Sequence, residues 1–135
     1  MTTVSESGIA VAPSAAERAR HWAKLPAAAR VKYERLAADV RGLEASQQAV
    51  WQTILEVRTS KGRAEQRLEA MTDPRLPSKG RPAPQVVQDI GDEIAYLVNR
   101  LVTLEAEHEA HKLRWRNALR LLNACKKHLG ITGDV

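Results

Sequence analysis

Residues 72–84 read TDPRLPSKGRPAP, and they divide the chain into two long segments that share one hydrophobic pattern. The stretch holds four prolines and a glycine. Proline removes a backbone donor and its ring clashes with the preceding helical turn, so no helix is expected to cross this stretch. We therefore predict a loop here and a separate helix on each side of it.

Apolar or core-compatible side chains recur on both sides of the loop in alternating steps of three and four residues. Steps that average 3.5 residues align along one seam of a helix, and such a seam requires a partner helix. The upstream seam contains Tyr33, Leu36, Val40, Leu43, Gln47, Val50, Ile54, Val57, Lys61, Ala64, Leu68 and Met71. The downstream seam contains Val87, Ile90, Ile94, Leu97, Leu101, Leu104, His108, His111, Trp115, Ala118, Leu122, Cys125 and Leu129.

Two helices of nearly equal length joined by one loop predict an all-α fold. Its main element is a long antiparallel two-helix coiled-coil hairpin, preceded by a short N-terminal helix. In an antiparallel pair the residue numbers that face each other add to a constant, so Met71 opposite Val87 places Gln47 opposite His111. Dimerisation of the hairpin into a four-helix bundle is left open by the pattern.

Local signals set the predicted boundaries within one domain. Ser14 and Glu17 have the spacing of a capping box, Pro26 ends the short helix, and Gly130 suits the end of the last one. The predicted segments are a flexible arm (1–13), a short helix (14–25), a long helix (26–71), a proline-rich basic tip loop (72–84), a second long helix (85–129) and a C-terminal tail (130–135).

The composition favours a cytoplasmic protein without disulfides. The chain has a single cysteine, Cys125, and no apolar run near the roughly 20 residues that span a bilayer. It begins without the basic and apolar regions of a signal peptide. Its net charge of +5 suits nucleic acid or an acidic protein surface without distinguishing between them.

No arrangement of residues indicates an enzyme, a cofactor or a small-molecule substrate. Glycine-rich phosphate loops and catalytic constellations are absent from the sequence. Glu105 and His108 have the helical spacing found in di-iron bundles, and Glu44 lies on the facing helix. Only a homodimer would supply enough ligands, so we predict no metal site and keep a dimeric metal-binding bundle as a second alternative.

Two groups of residues stand out on the predicted hairpin. Gln47, His108 and His111 form a polar layer in the seam, which we interpret as register control, with a pH-sensitive joint as the alternative. Apolar residues beside the seam form a second group that two helices alone leave uncovered, and this predicts a protein interface. We call this second group the flank; it consists of Trp51, Leu55, Val98 and Val102.

Basic residues give two further candidates. Arg75, Lys79 and Arg81 at the tip are a secondary protein contact. Lys112, Arg116 and Arg120 recur every four residues and form a stripe that suits nucleic-acid phosphates.

The sequence predicts a non-enzymatic helical-hairpin assembly, adaptor or inhibitor protein that acts by protein–protein docking. In outline it is similar to the hairpin stalks and adaptors of secretion and phage assembly systems, so a phage or bacterial accessory component is one option. The flank is expected to bind a second copy or another protein. A non-specific nucleic-acid-binding protein that uses the stripe is the first alternative.

Overall fold

The computed structural model describes residues 3–4, 10–77 and 80–132. Helices dominate these residues, which confirms the all-α prediction. Two short strands pair in an antiparallel manner with Thr3 opposite Val11; they lie in the segment predicted as a flexible arm, of which residues 1–2 and 5–9 are outside the described residues. The elements are β1 (Thr3–Val4), β2 (Ala10–Val11), α1 (Ala15–Lys24), α2 (Ala27–Met71) and α3 (Pro84–Leu129).

Helix α1 begins at the cap that the sequence predicts. The Ser14 hydroxyl oxygen accepts the Glu17 N–H at 3.2 Å, and the hydroxyl lies 3.3 Å from Oε1 of Glu17. These bonds satisfy a donor that the first turn leaves unpaired. The helix ends at Lys24 because Leu25, the residue before Pro26, takes an extended conformation with ψ 147°.

Prolines mark the starts of both long helices. The carbonyl of Pro26 accepts the Arg30 N–H at 3.1 Å, so α2 begins directly after this proline. Helix α3 begins at Pro84, one residue earlier than predicted. Proline is accommodated in a first turn because its missing N–H would have no partner there.

Helix α3 ends in a Schellman motif centred on Gly130. The Ile131 N–H donates to the Lys126 carbonyl at 2.9 Å, and the Gly130 N–H donates to the Lys127 carbonyl at 3.3 Å. Gly130 has φ 69°, a left-handed conformation that glycine adopts without steric cost. The sequence predicts that this helix ends at residue 129 with Gly130 as its C-terminal cap, and the structure confirms both.

The chain forms two compact units. Unit 1 comprises Met1–Glu44 and Arg114–Val135, and unit 2 comprises Ala45–Leu113. In unit 2 the buried seam residues are Ile54, Val57, Ala64, Ile90 and Leu97. All five were predicted as seam positions, and α2 and α3 pack against each other as a helical hairpin.

Ion pairs between the two helices of unit 2 show which sides face each other. Arg67 lies 3.0 Å from Glu93, and Arg58 lies 3.4 Å from Glu105. In heptad notation the first pair joins two g positions and the second joins two e positions, which is the relation that antiparallel helices produce. We refer below to the e side and the g side of the hairpin.

Unit 1 contains a small core that includes the short helix. Its buried members are Tyr33, Val40, Leu122 and Ile131, and Trp22 and Leu25 pack against them. The Trp22 and Tyr33 rings meet edge to face with centroids 5.3 Å apart. The short helix therefore folds back onto this end of α2 and α3.

A hydrogen bond connects α1 to the end of α3. Nε2 of His21 lies 2.7 Å from the Leu129 carbonyl oxygen. A carbonyl can only accept, so Nε2 carries the proton and the imidazole satisfies one of the last carbonyls of the helix. A Cβ on Gly130 would lie 3.4 Å from His21 Nε2, which is an ordinary contact distance, so the positive φ and not this contact favours glycine here.

Among the described residues, no helix combines the length and the apolarity that crossing a lipid bilayer demands.

Candidate protein-docking face

The flank lies entirely within unit 2, and three of its four side chains are exposed. Val102 is 63% exposed, Leu55 39% and Val98 38%. Trp51 and Val98 occupy e positions, whereas Leu55 and Val102 occupy the adjacent b positions. Because e and b positions lie outside the a and d positions of the seam, the packing of α2 on α3 leaves this apolar group uncovered.

Trp51 is half-buried because polar neighbours hold its ring. The His108 ring packs against it at 5.5 Å between centroids, with an angle of 38° between the planes. The guanidinium carbon of Arg58 lies 5.3 Å from the centre of the indole, which is cation–π geometry. Glu105 in turn pairs with Arg58. These contacts restrain the indole at the edge of the flank.

The surface next to Leu55 is open. Gly62 lies seven residues after Leu55 and so occupies the same b position on α2. A Cβ placed on Gly62 would have no neighbouring atom within 4 Å. An approaching helix therefore meets no side chain at this point of the face.

Several exposed apolar residues outside the flank were not predicted or only partly predicted. Tyr96 and Val86 in unit 2 and Val31 in unit 1 are exposed. All three residues lie outside the a and d positions of the seam, and this spacing alone would have indicated their exposure from the sequence. On α3, Leu113 and Leu121 are also exposed, whereas Leu119 packs against the core of unit 1.

The predicted polar layer consists of three half-buried residues, Gln47, His108 and His111. Nδ1 of His111 is buried and forms no hydrogen bond with a described residue, so Gln47 does not satisfy it. Nε2 of His111 lies 3.8 Å from Oε1 of Glu107 on the same helix. The His108 ring contacts Trp51. The role of the layer in setting the register stays a prediction.

The tip contains a local clamp that the sequence did not suggest. Nη2 of Arg75 donates to Oδ2 of Asp73 at 2.9 Å, and the Arg75 backbone N–H donates to Oδ1 at 2.9 Å. Arg75 is thus neutralised by its neighbour, although its side chain is exposed. Arg81 is exposed, and Lys79 lies outside the described residues. Their role as a protein contact stays a prediction.

The contact between Asp73 and Arg75 affects the pKa of the Asp73 carboxyl. The Arg75 side chain, followed by the Arg75 backbone N–H, holds the pKa of the Asp73 carboxyl below its usual value. The clamp is therefore complete above the ordinary carboxyl pKa and is lost as the pH falls through the lowered value. An NMR titration of the Asp73 carboxyl carbon should show this lowered pKa. Arg75→Ala should raise the pKa only part of the way, and an ordinary value in both proteins would contradict the clamp.

The predicted basic stripe is interrupted by a local ion pair. Lys112, in unit 2, lies 3.2 Å from Oε1 of Glu109. Arg116 and Arg120, in unit 1, are exposed and form no ion pair among the described residues. Within the stripe, two arginines rather than three cations are therefore available to contact phosphates.

The residues considered as metal ligands have other contacts. Glu105 pairs with Arg58, His108 stacks on Trp51, and Oε1 of Glu44 accepts the Trp115 indole N–H at 3.1 Å. Cys125 packs against the core of unit 1 together with Tyr33, as its seam position suggested. Within the described ranges, no three His, Cys, Asp or Glu side chains are grouped so that they could hold a metal ion.

Comparison with known proteins gave no significant match, whether to a family model, to a curated protein or to a solved structure. The functional argument therefore rests on the surfaces of the chain itself.

Proposed function

We propose that this chain is a non-enzymatic assembly or adaptor module that docks the flank of unit 2 on another helical protein, with a second copy of the chain as its first partner. One observation carries the proposal: three exposed aliphatic side chains, Leu55, Val98 and Val102, lie on the same side of the hairpin as a restrained tryptophan.

The width of the apolar stripe supports a helical partner. A two-helix coiled coil buries only its a and d positions. Helices of a four-helix bundle bury a wider stripe that also includes e positions. Trp51 and Val98 extend the stripe in this way. Two hairpins joined through this side would form a four-helix bundle in which the same residues serve on both copies.

The restraint on Trp51 supports a role in binding. Tryptophan is enriched among the residues that dominate interface energies. Binding usually costs side-chain freedom, but the contacts with His108 and Arg58 already restrict this ring before a partner arrives. The cost of ordering Trp51 in a complex is correspondingly small.

Sedimentation velocity of purified protein over a range of concentrations tests the proposal. Wild type should sediment as a dimer, and Trp51→Glu should dissociate at least tenfold more readily because a carboxylate would lose its hydration among the apolar side chains of the interface. Val102→Glu should act similarly. Val102 is 63% exposed and lies outside the seam, so this second variant should leave the hairpin intact.

Gln52→Glu is the matched control. Gln52 is the next residue of the same helix, it is exposed, and it points away from the flank at an f position. This variant introduces the same charge as Trp51→Glu and should remain a dimer. A monomeric wild type, or equal sedimentation of all four proteins, would contradict docking through the flank. Far-ultraviolet circular dichroism should show unchanged helicity in every variant.

A further inference from the structure

The positive charge of the chain is concentrated in one of its two units. Unit 1 contains twelve Lys and Arg against six Asp and Glu, a net charge of +6. Unit 2 contains nine against ten, a net charge of −1, and the two together give the +5 of the whole chain. Unit 1 alone thus accounts for the basic character of the protein.

Ion pairing increases this contrast. Arg58, Lys61, Arg67, Arg75 and Lys112 of unit 2 each pair with a carboxylate within the described residues. In unit 1 several exposed cations form no such pair among the residues that the structure describes. They are Arg20 and Lys24 on α1, Lys32, Arg35 and Arg41 on α2, and Arg114, Arg116, Arg120 and Lys127 on α3.

Five of them, Lys32, Arg35, Arg114, Arg120 and Lys127, lie away from α1, either on the g side or at the outer positions of α3, and we call this surface the basic face. Helix α1 packs on the opposite, e side, where Trp22 lines a recess together with Ala37 and Leu119. Lys32 and Arg114 occupy g positions and Arg35 an adjacent c position, with Arg120 and Lys127 at the outer f positions. The described acidic residue at these g and c positions is Asp39. The face is therefore strongly positive, and its five cations are exposed in the part of the chain that the structure describes.

The shape of the basic face suits an extended polyanion. Arg114 and Lys127 lie 13 residues apart, which is about 20 Å along a helix. The same length of duplex DNA carries roughly 12 phosphate charges. Two small residues, Gly42 and Ala124, lie at c positions beside the cations, and a Cβ on Gly42 would have no neighbour within 4 Å. The backbone of a polyanion can thus come close.

The aromatic residues indicate contact with phosphates rather than bases. Tyr33 is buried, and Trp22 and Trp115 pack against the core of unit 1. The described part of the basic face therefore has no aromatic platform on which unpaired bases could stack, as single-strand binders require. Apolar side chains for insertion into a membrane are also few, since Leu121 is the exposed leucine at these positions.

We propose that the basic face of unit 1, formed by Lys32, Arg35, Arg114, Arg120 and Lys127, binds the phosphate backbone of duplex nucleic acid without reading its sequence. Docking by the flank involves unit 2, so the two activities are independent.

Fluorescence anisotropy with a labelled DNA duplex of mixed sequence tests the proposal on the full chain. The logarithm of the observed association constant should fall linearly with the logarithm of salt concentration, with a slope of about −4 to −5 if all five cations contact phosphates. The double variant Arg35→Gln/Arg120→Gln should bind about tenfold or more weakly, and its slope should be less steep by about 2.

The double variant Arg63→Gln/Arg100→Gln is the matched control. Both arginines are exposed in unit 2 and form no ion pair among the described residues, so the net charge changes equally. Its affinity should stay within twofold of wild type. Absence of binding at low salt, or an equal loss in both double variants, would overturn the proposal. Preference for anionic lipid vesicles or for polyglutamate over the duplex would overturn it as well.

Discussion

Replacing Ile54 by alanine is expected to lower the free energy of unfolding by about 2–5 kcal/mol. The Ile54 side chain is 1% exposed, and it is the largest fully buried side chain of the described residues. Alanine would leave a cavity in the seam that neighbouring helical residues fill only in part. Alanine has a higher helix propensity than isoleucine, but this difference stabilises the protein by about 0.5 kcal/mol at most, so the loss of packing dominates. Urea unfolding followed by far-ultraviolet circular dichroism measures the change.

Gln52→Ala is the control for this experiment. Gln52 lies two residues earlier on α2 and is exposed, so its replacement should change stability by about 0.5 kcal/mol or less. Equal unfolding midpoints for the two variants would show that residue 54 is not a core position.

Replacing Ile131 by alanine should cost about 2 kcal/mol or more, although this residue follows the last helix. Ile131 is 8% exposed and belongs to the buried cluster with Tyr33, Val40 and Leu122. Its backbone N–H also completes the Schellman motif, in which an apolar contact commonly accompanies the hydrogen bond. Alanine keeps the hydrogen bond and removes most of the buried side chain. Unfolding in urea should detect the loss.

Thr132→Ala tests whether burial is the cause. Thr132 is exposed and adjacent to Ile131, so the substitution should leave the unfolding midpoint nearly unchanged. If Ile131→Ala and Thr132→Ala behave alike, Ile131 does not contribute to the core of unit 1.

Most of the fold follows from local signals in the sequence. Pro26, the prolines of residues 72–84 and Gly130 act within a few residues of themselves, so the helix boundaries are predictable to within one or two positions. The heptad spacing then identifies seam residues such as Ile54 and Leu97, because burial repeats with the helical period. The exposure of Leu55, Val98 and Val102 follows from the same spacing.

The remaining contacts depend on tertiary arrangement and have no local signal. Ile131 lies outside any helical period, and its burial requires the core that α1 completes. The stacking of His108 on Trp51 depends on the exact rotation of two helices, which the seam determines only approximately. The charge separation is hidden in the net charge of the chain, since it becomes visible only after residues 1–44 and 114–135 are assigned to one unit.

The hydrogen bond from His21 to Leu129 has a kinetic consequence, because it joins residues 108 positions apart. Contacts of such long sequence separation are slow to form, since the closure of a large loop must be compensated before they stabilise the chain. During synthesis, α1 leaves the ribosome before α3, and the surface on which it docks is complete only after the end of α3 has followed. Trp22 and Leu25 therefore lack this core until Leu122 and Ile131 have been synthesised.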